Sequence, residues 1–99
     1  MRQEPSLTSR VRIPDGVLSH DLQGELVILD LNTGVYFGLD PVGTRIWHLI
    51  QEHQSLRKVL DSMVEEYEVG EAQCTQDLLS FVSVMLEKGL FEVCNGAGT

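Results

Sequence analysis

Ninety-nine residues, 42% of them hydrophobic, make one domain with a modest core, which excludes a second folded unit and whole-chain disorder. Seven Lys and Arg stand against fifteen Asp and Glu, a net charge of −8 that repels a polyphosphate at every approach and argues against a nucleic-acid partner. No run of about 18 apolar residues is available to cross a membrane, and MRQEPSLTSR lacks the apolar core of a signal peptide, so the expected compartment is the cytosol.

Residues 1–10 are polar and aperiodic and read as a flexible arm; a folded domain is expected over 11–93, with a flexible tail over 94–99. From Val17 to Leu39 the composition favours strands. Leu18, His20 and Leu22 alternate with Ser19 and Asp21 and turn back at Gln23-Gly24. The runs ELVILDL (Glu25 to Leu31) and VYFGL (Val35 to Leu39) then flank Asn32-Thr33-Gly34, which predicts a hairpin with a three-residue loop and Gly34 left-handed. That register pairs Leu31 with Val35, Leu29 with Phe37 and Val27 with Leu39 on one apolar face, and puts Asp30 beside Tyr36 and Ile28 beside Gly38 on the other.

After Leu39 the period changes to 3.6. Asp40 is placed to cap a first helix, Pro41 suits its first position, and Val42, Ile46, Leu49 and Ile50 form its stripe, with Trp47 one position off it. Ser55 caps a second helix whose stripe is Leu56, Val59, Leu60, Met63, Val64 and Tyr67. A third helix starts near Gly70 or Glu71 and runs to Lys88, burying Leu78, Phe81, Val82 and Met85, with Gly89 as a left-handed stop and Leu90 as the contact behind it. Phe91 to Val93 closes the chain as an extended piece. The expected fold is α+β: a three-stranded antiparallel meander followed by three helices that cover one face of the sheet.

Catalytic chemistry finds little support. His48 and His53 are five residues apart, off the i, i+4 spacing of a helical metal pair, and no HExxH, GxxxxGKS or GxGxxG occurs. Cys74 and Cys94 form no CxxC pair and read as reduced thiols. No serine or cysteine lies in a nucleophile setting, and Glu65, Glu66 and Glu68 read as a solvated face. The expectation is a binding module that is no enzyme and holds no metal or cofactor. A winged-helix DNA reader is the alternative, but its reading helix needs exposed cations and the third helix offers only Lys88. The strand Val35 to Leu39 ends the meander and lies at an edge guarded by neither charge nor proline, which suits addition of an extended peptide as a further strand. The same open edge leaves a monomer or a weak homodimer as the expected state.

The segment LVILDLNTGVYFGLDPVGTRIW (Leu26 to Trp47), the helix SLRKVLDSMVEEYEV, the run Asp77-Leu78-Leu79-Ser80-Phe81-Val82 and Lys88-Gly89-Leu90 together resemble the PqqD family. These are leader-peptide recognition elements of pathways that modify ribosomally made peptides, and the resemblance covers about Val11 to Val93. It implies a winged-helix-like domain of three strands and three helices, without catalytic activity. It further implies binding of a precursor's leader as an added strand, and presentation of that precursor to a modifying enzyme such as a radical-SAM protein or a cyclase and protease. Carried over by position, the implied peptide-binding residues are Val35, Tyr36, Phe37, Gly38 and Leu39 on the strand and Asp77, Leu78, Phe81, Val82 and Met85 on the third helix. The stretch TGVYFGLDPVGTRIW is most similar to members from lasso-peptide and other radical-SAM or cyclase gene clusters.

Overall fold

A computed structural model describes residues 7–68 and 70–94. Strands β1 (Val11–Arg12), β2 (Val17–Leu22), β3 (Glu25–Asp30) and β4 (Val35–Leu39) precede helices α1 (Pro41–His53), α2 (Leu56–Glu66) and α3 (Glu71–Glu87), and β5 (Glu92–Val93) follows. The main sheet has the order β2-β3-β4, antiparallel throughout. An α+β fold with three strands and then three helices is therefore present, and its likeness to a winged helix is a loose one.

The turn from β2 to β3 is Gln23-Gly24, both at positive φ (54° and 88°), as a tight hairpin turn that follows the strand twist requires. The β3–β4 register differs from the expected one by a single residue. The pairs are Leu26 with Leu39, Ile28 with Phe37, Leu29 with Tyr36 and Asp30 with Val35. The loop has four residues because Leu31 leaves the ladder: its N–H donates to Gly16 O at 2.8 Å. Asp30 then organises the turn, its side chain accepting from Asn32 N at 3.0 Å and its carbonyl from Gly34 N at 2.7 Å. A one-residue slip exchanges faces. Leu26, Ile28 and Asp30 of β3 consequently point into the core, while Val27 and Leu29, expected inside, lie on the outer face.

Asp40 caps α1 by accepting from Gly43 N at 2.7 Å. The buried stripe of α1 includes Trp47 and leaves Val42 exposed, a rotation relative to the expected stripe that brings the largest side chain of the helix inside. In α2 the anticipated positions Leu56, Val59, Leu60 and Met63 are buried behind the Ser55 cap. Helix α3 ends in a Schellman motif: Leu90 N donates to Met85 O at 2.9 Å and Gly89 N to Leu86 O at 3.1 Å, with Gly89 at φ +74°. That turn delivers Phe91 onto Trp47, where the rings stack with centroids 5.2 Å apart. The indole N–H of Trp47 is buried without an acceptor among the described residues, a cost of ~1–3 kcal/mol that the packing around it offsets.

The pairing of β1 with β5 escaped the pattern reading, which foresaw only the second of them. Of the arm expected over residues 1–10, positions 1–6 lie outside the described residues. The rest is anchored: Leu7 packs against the core, Ser9 O accepts from Leu56 N at 3.2 Å, and Arg10 O accepts from Cys94 N at 2.8 Å. Of the tail, residues 95–99 lie outside the described residues.

Two expected outcomes follow from this packing. Ile28→Ala should cost ~2–5 kcal/mol in urea unfolding, because it empties a fully buried site, whereas Val27→Thr on the outer face should stay within ~0.5 kcal/mol. Equal losses would restore the other register. Between α1 and α2, Arg45 grips Glu66, its Nε donating to Oε1 at 2.8 Å. This hydrogen bonding holds the Glu66 carboxyl below its ordinary range. A lowered folded-state value makes the contribution full above the unfolded pKa and lost as pH falls through the folded one. Both side chains are a third or more exposed, so Arg45→Ala should cost only ~0.5 kcal/mol at neutral pH, and the difference from wild type should vanish in acid titrations of stability.

Candidate functional site

In the order β2-β3-β4, strand β4 has a neighbour on one side only, so one row of its backbone donors and acceptors is unpaired within the sheet. Neither a charge nor a proline blunts it. Val35, Tyr36 and Gly38 are exposed, Phe37 is half-buried and Leu39 is buried. A Cβ built on Gly38 would meet nothing within 4 Å, which leaves flat space over the strand.

Helix α3 lies beside this strand and runs in the opposite direction. Its residue Phe81 reaches Gly43, just past the Leu39 end, where an added Cβ would lie 3.1 Å from Phe81 Cε1. At its C-terminus, Lys88 Nζ lies 5.3 Å from the centroid of the Phe37 ring. Asp77, Phe81, Val84 and Lys88 follow one another at four-, three- and four-residue spacing and so share a face of the helix. That face is the one α3 turns toward the β4 side, and the surface between the two elements is termed the trough.

The expected site residues divide accordingly. Asp77 and Phe81 stand at the trough, whereas Leu78, Val82 and Met85 are buried in the core and set the seat of α3 instead of lining the open surface. Val84, 45% exposed, and Lys88 share this face and were not among the expected peptide-binding residues, although the spacing from Asp77 contains them. Past Leu39, where α1 begins, the helices enclose a cavity of about 140 Å³ lined by Val42, Met63, Tyr67, Cys74 and Asp77. Asp77 Oδ1 accepts from Gln73 Nε2 at 2.9 Å on its rim.

A second apolar surface covers the outer face of the sheet. Leu18, His20, Val27, Leu29 and Tyr36 line a shallow depression of about 260 Å³, and Tyr36 is 68% exposed. The corrected register creates this patch by turning Val27 and Leu29 outward. Among the described residues no three His, Cys, Asp or Glu side chains converge as metal ligands, and no helix is long and apolar enough to cross a membrane.

The family of coenzyme PQQ synthesis protein D (PqqD) matches residues 25–90 of the 99. The chain belongs to the PqqD family. Among solved structures it is similar to TbiB1 in complex with the TbiA(beta) leader peptide, at 40% identity and a TM-score of 0.79 over 82% of this chain and 94% of that one. It also resembles lasso peptide synthetase B1 complexed with the leader peptide, at 22% identity and a TM-score of 0.77 over 84% of this chain and 98% of that one, a likeness of fold. No curated protein matches the chain. PqqD membership agrees with the matched segment, which starts at β3 and ends at Leu90, the residue that completes the α3 cap.

The Gly43 contact is what lets Phe81 of α3 in this PqqD-family chain approach the start of α1 closely. Gly43→Leu should displace Phe81 and cost ~1–3 kcal/mol by overpacking, read as a lowered urea midpoint.

Proposed function

We propose that this PqqD-family chain is a non-catalytic peptide-binding module that captures the leader of a ribosomally made precursor peptide by strand addition and hands it to a modifying enzyme. The observation that carries the reading is the open, uncharged edge of β4 beside the α3 face, in a chain 40% identical to a protein solved with a leader peptide bound. An added strand gains backbone hydrogen bonds along Val35, Tyr36, Phe37, Gly38 and Leu39, while Asp77 and Phe81 bound its side chains and Leu78, Val82 and Met85 hold α3 at the right height. The recognition domain spans residues 11–93 and works in the cytosol, where such precursors are made.

Delivery has a surface of its own. A strand added to β4 extends the outer sheet face, so an enzyme such as a radical-SAM protein or a cyclase and protease docking on Leu18, Leu29 and Tyr36 would meet module and leader together. The DNA-reading alternative has no counterpart in the geometry: the exposed face of α3 carries Asp77 and a single cation, Lys88, in a chain of net charge −8.

A synthetic leader of the precursor encoded beside this chain's gene should bind with a Kd of roughly 1–10 μM, about −7 to −8 kcal/mol. Amide resonances of Val35 to Leu39 should shift most, and Gly38→Pro should weaken binding at least tenfold with helix content by circular dichroism unchanged. A leader that binds without moving those amides would overturn the reading and favour self-association through the edge.

A further inference from the structure

The two ends of the trough carry opposite charges. At the Leu39 end, Asp77 stands on the rim of the cavity whose other walls are Val42, Met63, Tyr67 and Cys74. An apolar pocket with a carboxylate at its mouth fits one kind of side chain well: the methylene stem of Lys or Arg goes inside and the cationic head stays at the acid. At the opposite end, Lys88 Nζ lies over the Phe37 ring, where a cation is held at a partly apolar surface and a carboxylate would strengthen its position. Lys88 is also the single cation from Asp61 to the end of the sequence, against eight carboxylates, so along this wall it is the one place where a peptide acid meets attraction.

Spacing converts this polarity into a sequence rule. Asp77 and the cap residue Lys88 are eleven positions apart along α3, roughly 16 Å at 1.5 Å per residue. An extended strand advances about 3.4 Å per residue with alternating faces, so two of its side chains on the trough side, four residues apart, span roughly 14 Å, and flexible side chains cover the difference. The neighbouring pairs of the sheet are antiparallel, and antiparallel addition is the slightly more stable mode. An antiparallel newcomer enters at Leu39 and leaves at Val35.

We infer that the groove reads the direction of its peptide: a leader segment with a basic residue at Asp77 and an acidic residue four positions C-terminal at Lys88, separated by apolar or β-branched residues over Phe37 and Phe81. This rests on the strand-addition reading above, and the two are separable by experiment. A phage-displayed library of random sixteen-residue peptides is panned on the wild-type chain, on Asp77→Ala and on Lys88→Ala, and the selected peptides are synthesised and titrated with amide shifts recorded. Wild type should enrich Lys or Arg four residues before Asp or Glu, and exchanging those two charges in a selected peptide should weaken binding at least tenfold. Asp77→Ala should lose the basic preference alone, and Lys88→Ala the acidic preference alone, both variants keeping wild-type unfolding midpoints. Selected peptides that shift Val35 to Leu39 with no charge order, or with the reverse order, overturn the directional rule and leave strand addition standing. A library that yields no peptide shifting those amides overturns strand addition itself, and the rule with it.

Discussion

Phe91 stacks on Trp47 and meets Phe81 edge-on with centroids 6.1 Å apart, and this aromatic row sets the distance between α1 and α3 on which the groove depends. Each such pair adds ~0.5–1.5 kcal/mol beyond the area it buries. Its geometry matters more than its energy. Phe91 reaches Trp47 only because the Schellman turn at Lys88-Gly89 reverses the chain immediately after α3, and Phe81 comes close to α1 only because position 43 has no side chain. Asp40 fixes the start of α1 directly after β4, so strand, helix start and aromatic row form one rigid path from the open edge to α3.

An open apolar edge is a hazard as well as a site. Proteins commonly guard such strands with lysine or proline, and β4 contains neither. The outer sheet face adds a second apolar surface, on the opposite side of the sheet from the helices. A net charge of −8 opposes the approach of identical copies, since like-charged molecules repel while an uncharged or basic peptide is not repelled. Acidity therefore acts in two directions: it works against pairing of the edge with another copy of the chain, and it favours a segment that brings compensating positive charge.

Rigid placement of the groove also explains why buried residues of α3 bear on recognition without touching a peptide. Leu78, Val82 and Met85 sink into the core, and their packing determines how far Phe81 and Val84 project along the strand. The β1–β5 ribbon pairs Val11 with Val93 and Arg12 with Glu92, and Arg12 Nε donates to Glu92 Oε2 at 2.8 Å, so this ribbon is held by contacts that involve neither β4 nor α3.

Much was legible from local signals. The caps at Asp40 and Ser55, the left-handed Gly89 and the stripe of α2 each depend on residues within a few positions of one another, so periodicity and cap chemistry suffice to find them. The order of strands and helices, the edge position of Val35 to Leu39 and the PqqD resemblance came from the same information. Register did not, because it was decided by the bond from Leu31 N to Gly16 O and by the Asp30 carboxylate, contacts that a hairpin pattern does not contain. The same holds for Val42 turning outward while Trp47 turned in, since the choice depends on Phe91, more than forty residues away. Sequence alone thus determined the three strands of the main sheet, the three helices and which strand is left open, but not the short β1–β5 ribbon. Tertiary structure decided which faces are buried and which charges stand at the two ends of the groove, because those follow from packing between residues distant in the chain.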